Sequence, residues 1–223
     1  MNIGRIWAVT IRHLYLFIHS LDRLTDMVYW PIMDIILWGF TTQYVQQRNV
    51  SLPHVALAIL TALVFWQVVW RANYEISVNL LEEMWNANLV NMFSTPLKPL
   101  EWVSAVMLIG LLKMLITLGV GVGAVWFLYS LNIFTIGWLF LPCIALLMAS
   151  GWFMGFLGSS FIIIGGTRVQ TIAWTMGFLF APFSAVFYPV SVLPVWAQMI
   201  SRVLPTTYVF ESMRTVLATG AIP

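Results

Sequence analysis

Residues 102–131 read WVSAVMLIGLLKMLITLGVGVGAVWFLYSL, thirty residues with a single charge, Lys113. A helix of that length rises about 45 Å at 1.5 Å per residue. The hydrocarbon core of a bilayer is roughly 30 Å thick, so this run can cross it and still protrude or tilt. The rest of the chain has the same character. Of 223 residues, 61% are hydrophobic and 8% are charged, whereas a soluble domain carries about 25% charge. Mean hydropathy is +0.91. No soluble fold hides that much apolar surface, so lipid is the expected solvent for most of the chain.

Four further apolar runs flank the first: residues 27–45, 53–72, 136–164 and 171–188. Lipid offers no partner for open backbone groups, so each is expected to be helical. Gly165-Gly166 ends the fourth run and Pro189 follows the fifth. The expected fold is therefore all-α and integral to the membrane, one domain over residues 1–223, with five visible spans. Residues 2–24 differ from the spans. Ile3, Ile6, Trp7, Leu14, Phe17, Ile18 and Leu21 recur at helical spacing, while Arg5, Arg12 and His19 recur every seventh residue on the other side. That pattern predicts an interfacial helix with its basic face toward headgroups. Arg12 at its centre argues against a spanning helix, and no cleavage site for a signal peptide follows. Residues 190–220 hold two amphipathic pieces, 195–204 and 206–219, separated by Pro205 and stopped by Gly220. Each is too short to span, and both are expected as re-entrant helices of the outer leaflet.

Basic residues orient the threading. With the N-terminus cytoplasmic, Arg5, Arg12, Arg23, Arg71, Lys98 and Arg168 lie inside, and only Arg48, Arg202 and Arg214 lie outside. The inside segment 73–100 then concentrates polar side chains: Glu75, Asn79, Glu82, Glu83, Asn86, Asn88 and Asn91, with Leu89 and Met92 on an apolar face. Thr95-Pro96 and Lys98-Pro99 break the helix before the third span. Such an amphipathic segment reads either as a docking surface or as a solvated helix resting on headgroups.

Residues 80–102, LLEEMWNANLVNMFSTPLKPLEW, resemble the cytoplasmic connection of type-2 ATP-binding-cassette (ABC) export permeases. The matching positions are Glu83, Asn88-Leu89, Thr95-Pro96-Leu97 and Glu101. Residues 203–220, VLPTTYVFESMRTVLATG, resemble the Leu-Pro-x-Thr-Tyr-x-x-Glu-x-x-Arg segment on the extracytoplasmic side of the same family, and residues 29–40, YWPIMDIILWGF, are similar to its first spans. Val90 stands where many members carry Glu. The family plan has six spans, so this chain reads as lacking the last one after Pro223.

The resemblance implies a permease paired with a second copy and with two ABC ATPase subunits in a prokaryotic plasma (inner) membrane. ATP and Mg would be bound by those partners and no cofactor by this chain. It implies that Glu75, Asn79, Glu82, Glu83, Asn86, Leu89 and Met92 form the ATPase-coupling element. Residues Arg5, Trp7 and Arg12 belong to the interface helix flanking it. Pro205, Tyr208, Glu211 and Arg214 would belong to an outer gate. The implied activity is ATP-driven export of an amphiphile, such as a drug-like molecule, a lipid or a lipid-linked sugar.

Other chemistry is expected to be absent. No G-x-x-x-x-G-K-S/T occurs, so the chain has no phosphate-cradling loop and is not expected to be the ATPase, and no enzyme activity of its own is expected. Net charge is +2, too small for nucleic-acid binding. The single cysteine, Cys143, excludes an intramolecular disulfide. Gly158-Ser159 has no histidine at similar depth to make an intramembrane protease. Asp34 and Lys113 lie inside spans, where an unpaired ion costs several kcal/mol. Either they face a translocation path, or they pair internally or Lys113 snorkels. Gly119 and Gly123 in the third span, and Gly151, Gly155 and Ser159 in the fourth, are spaced for close helix packing. That packing is expected within one bundle, with a dimer seam as the alternative. A non-transporting scaffold, or an ion-coupled carrier using Asp34 and Lys113, are the rival functions.

Overall fold

The computed structural model describes residues 1–48 and 55–219, and every regular element among them is helical. The order is α1 (Ile3–Ile18), α2 (Leu21–Arg48), α3 (Val55–Trp85), α4 (Leu89–Ser94), α5 (Pro99–Tyr129), α6 (Phe140–Gly165), α7 (Thr171–Phe180), α8 (Val195–Val203) and α9 (Pro205–Thr219). Short 3-10 turns occupy Ile133–Leu139, Gly166–Val169 and Val190–Val192. α3 is the axis of the bundle. Leu60, Leu63, Val64, Phe65, Val68, Val69 and Ala72 cover its whole circumference, and all are buried. A helix apolar all round belongs inside, with the others packed about it. α2, α5, α6, α7 and α9 all contact it.

Among the described residues, three helical stretches are long and apolar enough to cross a membrane: Ala56–Trp85, Pro99–Tyr129 and Ile133–Val169. The expectation of five spans contracts to these. α2 has the length, about 42 Å, but Asp22, Arg23, Asp26 and Asp34 crowd its first half. The run 171–188 is helical only to Phe180, about 15 Å. Pro182 has no N–H to continue the ladder, and residues 181–188 form turns. The fourth run begins its α-helix at Phe140, because Gly137 at φ 69° breaks the path. The expected start of the second run at Pro53 and the expected stop at Gly220 lie outside the described residues.

Two other boundaries move. The interfacial helix ends at Ile18, and residues 21–24 already belong to α2. Residues 73–85, expected as part of a separate cytoplasmic segment, continue α3 without a break. Glu75, Glu82 and Glu83 find partners on neighbouring helices, Asn79 donates to Glu75, and Ser77 donates to Gly155 O of α6, so nothing expels this stretch from the bundle.

At the far end of α3 from Trp85, α9 buries Val209, Phe210, Met213 and Val216, with Phe210 against Trp66. It is part of the bundle, and Pro205 occupies its first position, where a missing N–H costs nothing. Of the two tail helices only α8 lies on the surface, with Val195, Trp196, Met199, Ile200 and Val203 exposed. Arg214 donates to the carbonyls of Ala185 and Val186, and Glu211 accepts from Val190 N at 2.8 Å and from Arg214 at 3.0 Å. These bonds pin the turn in which Ala185 adopts φ 53°. Tyr208 is exposed and donates to Arg202 O at 2.7 Å.

The two glycine ridges separate. A Cβ on Gly151 would lie 2.5 Å from Val69 O, and one on Gly155 would lie 2.8 Å from Ile76 Cβ. Ser159 on the same face is buried. This ridge lets α6 meet α3. Gly119 and Gly123 have nothing within 4 Å among the described residues, so they do not pack within this chain as expected. Gly121 between them is the one that packs, against Val64. Gly151→Ala should therefore cost about 1–3 kcal/mol through overpacking, lowering the melting temperature of the monomer in detergent, while Gly119→Ala, which meets nothing within its own chain, does not lower it. Equal effects of the two substitutions would contradict this packing.

Candidate functional site

Arg71, Glu75, Asn79 and Glu83 recur every fourth residue, which places them along one face of α3. Glu75 is 2% exposed, so its charge needs compensation. Lys113 of α5 donates to Glu75 Oε2 at 2.7 Å, and Asn79 Nδ2 donates to the same oxygen at 3.1 Å. Arg71 Nη1 lies 3.7 Å from Glu75 Oε1 and 3.5 Å from Asp26 Oδ2 of α2. Lys113 also sits over the Phe17 ring at 5.0 Å, which brings in α1. Internal pairing of Asp34 with Lys113 is overturned. Asp34 instead accepts from Gln67 Nε2 at 3.0 Å. The pairing partner of Lys113 is the glutamate thought to face the cytosol.

The arginines of α1 also find protein rather than headgroups. Arg12 lies 2.9 Å from Glu83 Oε1 and donates to Oε2 at 3.2 Å. Arg5 donates to Pro96 O at 2.6 Å and lies 3.6 Å from Glu101. The outward side of α1 is the apolar one, with Ile3, Trp7, Ile11, Tyr15 and Ile18 exposed. The basic side of this helix is therefore paired rather than free: the Arg5 and Arg12 side chains stay 38% and 42% exposed yet bind Glu101 and Glu83, while Thr10, His13 and Phe17 face inward. The physical reason is that paired carboxylates lie within reach, and an arginine fork bound to one is better satisfied than by water alone.

These bonds converge on an elbow, residues 86–98, between α3 and α5. Glu83 accepts from Asn88 Nδ2 at 2.6 Å, and Asn88 N donates to Glu83 O at 2.9 Å. Between them Ala87 takes the left-handed conformation, φ 51°. Glu101 accepts from Lys98 N at 3.1 Å, closing the start of α5, and from Asn2 N at 2.7 Å. Arg23 of α2 donates to Glu82 at 2.9 Å. Trp85 Nε1 donates to Gln170 Oε1 at 3.2 Å, tying the elbow to the turn before α7. The elbow is thereby bonded to α1, α3 and α5, with α2 and α7 attached one turn away.

The residues expected to form a docking surface divide accordingly. Glu75, Asn79 and Glu83 are buried, Glu82 is half-buried and paired, and Met92 is buried beneath the elbow. Leu89 is half-buried and Asn86 is exposed. The outward surface of the elbow is made instead by Trp85, Asn86, Val90, Asn91 and Phe93. The sequence did hold a signal for the clamp. Arg5, Arg12 and Arg23 face an equal number of glutamates, Glu82, Glu83 and Glu101, in a chain with only eighteen charged residues.

His13 is buried beside this clamp, with neither ring nitrogen hydrogen-bonded and Glu83 Oε1 4.0 Å from Nε2. Burial lowers its pKa to about 4, helped by Arg12 and Lys113 and opposed by Glu83 and Glu75. It is a neutral ring at pH 7. Among the described residues no group of His, Cys, Asp or Glu could hold a metal ion.

Beside the Glu75 cluster lies a cavity of about 510 Å³, bounded by the first turns of α2, by α3 and by Trp174 of α7. No family model matches this chain, and no curated protein matches it.

The buried pair gives a direct check of this site. Glu75→Gln leaves Lys113 buried without a counter-charge, a loss of about 3–5 kcal/mol. The double variant Glu75→Leu with Lys113→Met removes both ions and should recover most of that stability in detergent thermal unfolding. Asp34→Asn should not change the effect of Lys113→Met. A double variant no more stable than Glu75→Gln would contradict the pairing.

Proposed function

We propose that the chain is the membrane-spanning permease subunit of an ABC exporter, worked by separate ATPase subunits. The observation that carries this reading is the elbow. It presents Trp85, Asn86, Val90, Asn91 and Phe93 outward, while Arg5, Arg12, Glu83 and Glu101 bond its base to three helices. A load applied to such a surface is passed to several helices together, because charge-assisted bonds resist being pulled apart one at a time. Apolar and amide side chains on a protruding turn suit a groove in a partner protein.

In this reading the N-terminus and the elbow are cytoplasmic, in a plasma (inner) membrane, and α1 lies in the interface with Trp7 toward lipid. ATP and Mg are bound by the partner. ATP-driven closure displaces two elbows, one from each of two permease copies, and opens a path for an amphiphile to leave the cytoplasm or inner leaflet. The open Gly119–Gly123 ridge of α5 serves as a seam between those copies. The turn held by Glu211 and Arg214, near Pro205 and Tyr208, lies at the outer end of the path.

The test is capture and cross-linking. Purified from native membranes, the chain should bring with it a protein carrying a phosphate-binding loop. Asn91→Cys should cross-link to that protein, while Tyr208→Cys should not. Capture with cross-linking only from Tyr208→Cys would overturn the role given to the elbow. Absence of any such protein from gently solubilised membranes would favour the scaffold.

A further inference from the structure

Seven of the chain's eighteen charged side chains line the 510 Å³ cavity: Asp22, Arg23, Asp26, Arg71, Glu75, Glu82 and Lys113. The Arg23–Glu82 and Lys113–Glu75 pairs are closed, at 2.9 and 2.7 Å. Arg71 is not. It is 5% exposed and lies over the Tyr74 ring at 5.5 Å, yet its Nε is buried with no hydrogen-bond partner among the described residues. Its neighbouring carboxylates stand at 3.5 and 3.7 Å. Glu75 Oε1 accepts no hydrogen bond and meets Arg71 only through that long ion contact. The two side chains therefore hold a donor and an acceptor whose hydrogen bonds are unmade.

We propose that this cavity binds the uncharged, hydroxyl-bearing head of an amphiphile. The claim rests on the export reading only for its role in transport, not for the binding itself. A hydroxyl that parts the two side chains accepts from Arg71 and donates to Glu75 at once, replacing one long ion contact by two hydrogen bonds. An ammonium head could serve only the carboxylate, and would sit beside Arg71 and Lys113. A phosphate could serve only the arginine, against four carboxylates and three bases. Aromatic faces are present for a sugar-like ring: Tyr29, Trp30, Tyr74, Trp85 and Trp174 all border the space.

The tail has a place beside it. An apolar groove of about 440 Å³ runs along α2, lined by Leu24, Thr25, Val28, Tyr29, Ile32 and Met33. Thr25 and Tyr29 border both spaces, so the groove and the polar space are neighbours on α2. A polar head space beside an open apolar groove suits an amphiphile lying along α2.

The test uses the full chain in phosphatidylcholine nanodiscs without any ATPase, and photoreactive octyl glucosides as probes. A head-labelled probe should mark peptides within 22–30 and 71–85, and a tail-labelled one should mark 24–33. Labelling should saturate. Unlabelled octyl glucoside should compete about tenfold better than octyl phosphate or octyl trimethylammonium, a difference near 1.4 kcal/mol. Arg71→Leu should weaken competition by on the order of tenfold. Val28 is exposed, so Val28→Trp fills the groove without disturbing the core and should weaken tail labelling. Non-saturable labelling, equal competition by a charged head, or indifference to both substitutions would overturn the proposal. Loss of the ATPase partner would leave this binding intact, and loss of binding would leave elbow cross-linking intact.

Discussion

A carboxylate that is 2% exposed in a chain with 61% hydrophobic residues must be compensated. Glu75 meets that demand with Lys113 at 2.7 Å, and the arrangement of α1, α2, α3 and α5 follows from it. Lys113 fixes the rotation of α5 against α3. Arg71 draws the start of α2 toward the same point through Asp26. Phe17 beneath Lys113 seats the end of α1. Breaking such a pair leaves a buried ion without a partner, so these helices cannot readily slide past one another singly. The side of α3 that meets α6 uses a different device. There Gly151 and Gly155 remove side chains so that α6 can approach backbone to backbone.

The same logic extends to the elbow. Glu83 and Glu101 flank it at the end of α3 and the start of α5, and α1 supplies an arginine to each. The elbow is therefore held at both sides by the helix that carries Trp7 and Ile11 outward. Its tip stays exposed. A rigid base with an exposed apolar tip is what a transmitting contact needs. This is the physical basis on which the chain is read as one half of a machine whose motor lies elsewhere.

Much of the architecture is legible in the sequence. The run 102–131 announces its helix by length and apolarity, and the proline-rich stretch 95–99 marks the break before it. The helices of the 190–220 tail are also placed within a residue or two. The polarity of 73–85 misleads. Asn73, Glu75, Asn79 and Glu83 look like a solvent face until partners at 113 and 12 are brought across from distant sequence. Those long-range pairs have no local signature. For the same reason the basic face of the first helix looks like a headgroup binder. The run 171–188 misleads in the other direction, since composition alone does not reveal that Pro182 ends the helix after one membrane half-thickness. The two glycine ridges are indistinguishable in sequence, and only the burial around Gly151 and the openness around Gly119 separate them.

The central claim is that the elbow and the clamped helices move as one body when the motor turns over. Spin labels at Asn91 and Trp7, with a second label pair joining Asn91 of two copies, read this directly in the reconstituted complex. On adding ATP and Mg, the distance within a copy should stay fixed while the distance between copies changes. A shift of Asn91 relative to Trp7, with the separation between copies unchanged, would contradict the account.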